Sequence, residues 1–400
     1  MKIVGITAEY NPFHNGHAYH IKEARRITGA DAVISVMSAS FVQRGEPACA
    51  DKFTRAKWAV ECGSDMVIEL PDLFSVSCAE RFASGALRIM KGIGIIDSVC
   101  FGSETGDINA LSDKAENKIS EEEFDHEISK GVSYPRALAE ADGSALSPND
   151  ILGVEYLRAN KRFCCGFDMY AVKRSVGHDS LGSDGEFTSA LAIRGLLNES
   201  TASMRISPSS FDTLARSLPR NVLNDISEEM RRGIVPAALE GLSDALLYRF
   251  RSMSLEDTAA LPEVSEGLEN LYKKYAEEAC TADEMLRKVK SKRYTMARLK
   301  RIAVCGLLGI TSELQTKAFT DDSALYARVL AVRGSSRDLL PMLIRNAKIP
   351  VIINAADREK LSPTAKRVES ISALAHSVRA LAAPYEKTSV PDSSHKLITV

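Results

Sequence analysis

No two of the eight cysteines stand as a CxxC pair and their spacing is irregular, which excludes a zinc knuckle or a disulfide framework. The one close pair, Cys164 and Cys165, is adjacent and poorly placed for an ordinary disulfide. All eight read as reduced thiols of a cytoplasmic protein. No apolar run reaches about 18 residues, so no membrane-spanning helix and no membrane partner are expected. The opening "MKIVGITAEYNPFHNGH" has neither an apolar signal core nor a small-residue cleavage site. Net charge is also scarce: at −2 the chain has no global pull on polyanions, so any nucleic-acid surface must be local. Internal repeats and low-complexity segments are missing too.

What is present is a chain able to bury a large core. Four hundred residues, 45% hydrophobic and 26% charged, imply a globular protein of two domains. Its first half alternates nearly continuous apolar runs with helical stretches. The expected strands are 2–8, 31–38, 65–70, 97–102 and 167–173, and the helices between them are 16–28, 51–62 and 78–91. Such alternation predicts an α/β fold, a Rossmann-like doubly wound parallel sheet. Ligands bind beyond the carboxyl ends of such strands, so the loops after residues 8, 38, 70, 102 and 173 are the ones to inspect. A helical insertion is expected near 107–160. It opens on the acidic "SEEEFDHE" (120–127) and closes on "SPNDILGVEYLRANKR" (147–162), where Ser-Pro-Asn starts a helix. The Ser-rich "ESTASMRISPSS" marks a boundary, which gives a catalytic domain over 1–205 and a mainly helical domain over 206–400. Late β-like pieces at 326–333 and 350–356 predict a small mixed β element, and the tail from "YEKTSVPDSSHKLITV" a poorly ordered or docked terminus.

Four stretches could carry chemistry. In "TAEYNPFHNGHAYH" (7–20), Pro12 and Gly16 break a strand into a helix starting near Gly16 or His17. The unpaired N–H groups at such a terminus favour phosphate, and His14 and His17 could donate to it. A zinc site using His14, His17 and His20, or a merely structural cluster, remains open on spacing alone. In "GEFTSALAIRGLL" (185–197), Ser189 and Arg194 could clamp a triphosphate, although a capping serine with a surface arginine is the commoner meaning. In "SASFVQRGEPACADKFTRAKW" (38–58), Arg44, Lys52, Arg55 and Lys57 surround a Gly-Glu-Pro turn, as a solvated basic face or as anion-handling groups. Finally "RKVKSKRYTMARLKR" (287–301) holds eight Lys or Arg and no acid. As one helix with an apolar stripe of Leu286, Val289, Met296, Leu299 and Ala303, it would turn its cations outward. Lys290, Lys292, Arg293, Arg298 and Arg301 would then face an RNA backbone, with Tyr294 as a stacking ring; an ordinary solvated helix is the alternative.

These residues resemble a known family. "NPFHNGH" resembles the HxGH motif of the class I nucleotidyltransferase and aminoacyl-tRNA synthetase superfamily, and "TSALAIR" its second motif. More narrowly, "TAEYNPFHNGHAYH", "SFVQRGEPA", "DMVIELP", "CFGSETGD", "GVSYP", "SPNDILGVEYL", "VKRSVGHD" and "KRYTMARLKR" are similar, in order, to the bacterial tRNA(Met) cytidine acetate ligases. That resemblance implies formation of N4-acetylcytidine at the wobble position of elongator tRNA(Met), from acetate and ATP through acetyl-adenylate. It places ATP on Thr7, Ala8, Glu9, Tyr10, Asn11, Pro12, Phe13, His14, Asn15, Gly16, His17, Ala18, Tyr19 and His20, with Gly102, Asn149 and Arg174. His14, His17, Ser189 and Arg194 take the catalytic roles, Mg²⁺ is expected on the ATP phosphates, and no resident metal or obligate protein partner is implied. Ala39 stands where the family usually has Gly, and Leu191 where a hydroxyl residue is usual, so a looser grip on pyrophosphate is expected. Two other readings explain part of the pattern: a small-metabolite adenylyltransferase of the same superfamily, and a nucleotide-regulated RNA-binding protein without turnover.

Overall fold

The computed structural model describes residues 1–116, 146–174 and 188–400. Its strands are β1 (Ile3–Ala8), β2 (Ala32–Ser38), β3 (Phe41–Val42), β4 (Glu46–Pro47), β5 (Met66–Leu70), β6 (Ser98–Ser103), β7 (Asp168–Lys173), β8 (Ala327–Val332), β9 (Val351–Ile352) and β10 (Ile398–Thr399). The central sheet runs β10-β8-β5-β2-β1-β6-β7. From β5 to β7 every pairing is parallel, which is the doubly wound arrangement expected.

Side-chain alternation explains why these strands read as unbroken apolar runs. Ile34 and Val36 of β2 enter one core with Ile68 and Leu70 of β5, while Val33 and Met37 point into a second core with Val4 and Ile6 of β1. Both faces are covered, so neither set of alternate residues needs to be polar. Helix Asn15–Thr28 covers one face and helix Ala79–Ile93 the other. Helix Lys52–Glu61 begins where Asp51 accepts from Phe53 N (2.8 Å) and Thr54 N (3.0 Å), a cap worth about 1 kcal/mol. Ser147 caps helix Pro148–Arg162, as the Ser-Pro-Asn signal led us to expect. The acidic run 120–127, the "GVSYP" stretch and most of "VKRSVGHD" lie outside the described residues.

The second half is helical over Pro208–Thr320 and then returns to the sheet. The late β pieces do form strands, and their place is in the central sheet. β8 pairs antiparallel with β5, and β9 and β10 pair parallel with β8. The tail is docked, with Asp392 4% exposed. The stretch around 200–210 joins helices that share one core: Ile193 and Leu197 on one side of it meet Leu214, Val222 and Ile226 on the other.

Candidate active site

Four of the five inspected loops converge on one cleft of about 220 Å³, lined from β1, β2, β6 and β7 and closed by helices Pro148–Arg162 and Ala190–Glu199. The loop after β5 supports it from beneath. Asp72, fully buried, accepts from Ser40 N (3.0 Å) and Phe41 N (2.7 Å) and so shapes the loop after β2.

The histidine motif is built from its backbone. Tyr10 takes a left-handed conformation (φ 47°), and its hydroxyl meets Ser35 Oγ at 2.9 Å. Its ring packs edge-on to His17 at 5.0 Å. His14 is the N-cap of helix Asn15–Thr28: its Nδ1 accepts from Gly16 N (3.1 Å), and His17 Nδ1 accepts from His14 N (3.2 Å). The two rings stack with centroids 3.7 Å apart. A ring nitrogen that accepts carries no proton, so in each neutral imidazole the hydrogen sits on Nε2. Both histidines line the cleft at a helix N-terminus. With both Nδ1 atoms occupied, neither offers that atom to a metal, and among the described residues no cluster of three or more His, Cys, Asp or Glu could hold one. His20 plays a different part. Burial, reinforced by the Arg174 charge, lowers its pKa to about 4, and its Nε2 lies 3.7 Å from the Cys100 thiol. It is a neutral wall.

Arg174 enters the cleft past Gly102, where an added Cβ would stand 3.4 Å from its side chain. Its buried Nε has no hydrogen-bond partner among the described residues, and the same holds for Asn11 Nδ2. Two unsatisfied donors in one cleft are a feature that a bound polar ligand would complete. Asn149 is oriented by Glu104, whose Oε1 accepts from its Nδ2 at 2.5 Å, while buried Asp150 accepts from Glu104 N at 3.1 Å. Glu9 lines the cleft with Oε1 accepting from Gln43 N (2.9 Å). Burial pushes its carboxyl up, against the pull of that N–H and of Arg194, Arg44 and Arg55. Of the remaining residues 7–20, Thr7, Ala8, Gly16 and Tyr19 also line the cleft. Pro12, Phe13, Asn15 and Ala18 do not: Phe13 is core, and Asn15 Nδ2 bonds the carbonyl of Arg216 (2.7 Å).

Ser189 caps helix Ala190–Glu199 by accepting from Ala192 N (3.2 Å). Arg194, one turn on, donates to the carbonyl of Asn11 at 2.8 Å and lies 3.7 Å from Glu46. Leu191, 37% exposed, lines the cleft. Ala39 is buried and its backbone N bonds the carbonyl of Leu70 (3.1 Å), so the departure there lies beneath the cleft instead of in it.

The stretch 38–58 corrects the sequence reading. Only Arg44 of its four cations lines the cleft. Arg55 is fully buried and donates to the carbonyls of Glu9 (2.6 Å), Ser38 (3.0 Å), Ala39 and Ala50, tying the loops after β1 and β2 together. Lys52 is equally buried between Glu69 (2.6 Å) and Asp392 (2.7 Å). Lys57 pairs with Asp225 at 2.9 Å. The anion-binding capacity of these three is consumed by the protein itself.

The basic stretch 287–301 is likewise not one helix. Helix Ala282–Val289 ends, a turn follows, and helix Met296–Leu308 starts at the Thr295 cap. Lys290, Lys292 and Arg293 stand exposed in the turn. Tyr294 is only 7% exposed: its hydroxyl bonds Glu266 at 3.0 Å and Arg298 lies over its ring at 4.8 Å, so it offers no open face for stacking. Arg298 donates to the Glu263 carbonyl (2.6 Å), Arg301 forms a fork with the Glu263 carboxylate (2.5 and 2.6 Å), and Arg293 pairs with Glu266 (2.9 Å). The acids missing from the stretch itself come from 263–266. Lys300 reaches Glu46 at 2.5 Å, which links this segment to Arg194 at the cleft. Glu46 and Lys300 were missed as a pair. The one sequence signal is the Gly-Glu-Pro turn: Gly45 (φ 73°) lies so close to the Lys300–Arg301 backbone that a Cβ would come within 2.4 Å of Arg301 N.

A strand-to-helix turn carrying His14 and His17, in one cleft with Arg194 from a later helix, is the layout of an HxGH-type motif. A family model described as HIGH Nucleotidyl Transferase matches residues 1–392. Proteins named tRNA(Met) cytidine acetate ligase are 36% identical over 393 residues in Acetivibrio thermocellus, covering 94% of both chains. In Alkaliphilus metalliredigens the figure is 33% over 378 residues, covering 88% of this chain and 87% of that one. A crystal structure of Thermotoga maritima TmcAL bound with alpha-thio ATP superimposes with a TM-score of 0.89 at 30% identity, covering all of both chains. The chain belongs to the HIGH nucleotidyl transferases and, within them, to the tRNA(Met) cytidine acetate ligase family.

Proposed function

We propose that this protein is an ATP-dependent acetate ligase that makes N4-acetylcytidine in elongator tRNA(Met). The single observation that carries the reading is the stacked His14–His17 pair at the N-terminus of helix Asn15–Thr28, in one cleft with Arg174 and Arg194. An acetate oxygen attacks the α-phosphorus of ATP, and the bond to the bridging oxygen breaks with its electron pair leaving on pyrophosphate. The two Nε2–H groups stabilise charge on the α-phosphate, and Arg194 with the helix N-terminus at Ser189 holds the departing pyrophosphate. Cytidine N4 then attacks the acetyl carbonyl carbon; the bond to the AMP oxygen breaks, AMP leaves, and N4 gives up one proton. Each step needs positioned donors more than a strong base.

ATP would lie over Gly102, with Asn149 and Arg174 on its nucleoside side and Mg²⁺ carried on its phosphates as part of the substrate. Arg174 Nε and Asn11 Nδ2, both without a partner among the described residues, are the donors that ATP would complete. The tRNA grip is assigned to the 206–400 half, through Lys290, Lys292 and Arg293 in the exposed turn, with Arg298, Arg301 and Tyr294 holding that turn in place. A cytoplasmic setting goes with a tRNA substrate, and among the described residues no helix is long and apolar enough to cross a membrane.

Incubation of the purified protein with ATP, labelled acetate and bulk tRNA tests the reading. Label in tRNA, released as N4-acetylcytidine on nuclease digestion, is the expected result. ATP consumption that requires a different acceptor would make it a metabolite adenylyltransferase, and RNA binding without either would leave a binding protein.

A further inference from the structure

A second cavity of about 460 Å³ adjoins the nucleotide cleft and shares four lining residues with it: Glu46, Thr188, Leu191 and Arg194. Its walls come from the far side of helix Ala190–Glu199 and from the segment 236–240. Leu191, Leu196, Pro236 and Leu239 give the lining an apolar part beside its polar groups. Its cations are Arg194 and Lys300, and both bear on Glu46 at the boundary with the cleft. Glu199 and Glu240 also line it, so a bare polyphosphate would meet carboxylates along the walls.

We propose that this groove receives the acceptor nucleotide of the RNA substrate, inserted base-first, while the cleft holds the acyl-adenylate; the inference rests on the ligase reading above. The chemistry asks for such a place. The acceptor base must leave its stack, and an unstacked base needs an apolar surface with polar groups at its edges. Polar groups for the base's edge stand at the boundary of groove and cleft, where Arg194 and Lys300 flank Glu46. Lys300 further belongs to helix Met296–Leu308, which follows the exposed basic turn, so RNA gripped at 290–293 is directed toward this end of the molecule. Leu191, which departs from the usual hydroxyl, gains a reason here: it is shared by both cavities and gives the groove an apolar lip.

Gly195 makes the test clean, because a Cβ built there meets nothing within 4 Å and the residue is exposed on the groove side. Gly195→Trp should fill the groove while leaving the fold and the cleft alone. Acetate-dependent exchange of labelled pyrophosphate into ATP should stay within about twofold of the parent, while acetyl transfer to tRNA falls on the order of 10²-fold, the scale of a misplaced reactant. Gly195→Ala should keep both. If Gly195→Trp retains both activities, or if a folded Gly195→Trp loses both, the groove is not a separate acceptor site. Should that variant not fold, Asn198→Trp on the same wall is read in the same way. A parent protein with no acetate-dependent exchange would instead fail the ligase reading, which keeps the two failures apart.

Discussion

Two parts of this molecule gather cations and histidines, yet they are built for opposite ends. Behind β5 and β8, Lys52 pairs with Glu69 and Asp392, Arg328 with Glu69 and Asp392, and Arg358 with Glu369 and Asp392. Every cation there meets carboxylates supplied by the protein. In the cleft, Arg174 keeps a buried Nε, and Asn11 a buried Nδ2, without a partner among the described residues. The first cluster ties the chain's tail to the sheet; the second holds donors in readiness for a ligand. What marks function is charge left unsatisfied, not charge density.

Breaking the tail network should give the largest change, and it should be a change in stability. Although burial opposes it, Lys52 and Arg328 hold the Asp392 carboxyl well below its ordinary range. Asp392→Ala strands buried cations and should cost about 3–5 kcal/mol in a denaturant unfolding experiment. His17→Ala should do the reverse: acetyl-adenylate formation falls by about 10²–10³-fold, about 3–4 kcal/mol of transition-state stabilisation, with the melting temperature nearly unchanged. A large loss of stability in His17→Ala would show that the motif is structural and would erase the contrast.

The histidines sharpen the comparison through pH. His20 in the cleft and His376 in the tail network both have pKa values lowered to about 4, His20 by burial and the Arg174 charge, His376 by burial and Lys52. The unfolded chain protonates near 6.5, so between about pH 6.5 and 4 it binds more protons than the folded one. Stability is therefore complete above about 6.5 and is lost as pH falls toward 4, by about 2–3 kcal/mol for each histidine. His376→Gln should flatten that slope in a pH series of unfolding curves; an unchanged slope would place the titration elsewhere. The smallest effect concerns the exposed turn. Lys292→Glu with Arg293→Glu should weaken tRNA binding and lower the log–log salt slope by about 2, leaving ATP affinity intact. An unaltered slope would remove the turn from the RNA surface.

The five parallel strands were legible to within a residue or so at each end because burial on both faces leaves an unbroken apolar signature. The histidine motif was legible because its parts are contiguous: strand, turn, cap and helix lie within residues 3–28. The fates of Lys52 and Arg55 were not legible, since their acceptors are backbone carbonyls and carboxylates as remote as Asp392. Nor was the link from Glu46 to Lys300, 254 residues apart. The break in the basic stretch did leave a trace in Thr295, a good N-cap, but the acids that neutralise Arg293 and Arg301 and the carbonyl that Arg298 bonds lie on 263–266, outside any local window. Local patterns survive reading; charge pairing across the fold does not.

The most direct test of the central claim is pyrophosphate exchange into ATP in the absence of tRNA. The cleft as described should support exchange that depends on acetate and is lost in His17→Ala. Exchange that proceeds without acetate, or that survives in His17→Ala, would contradict it.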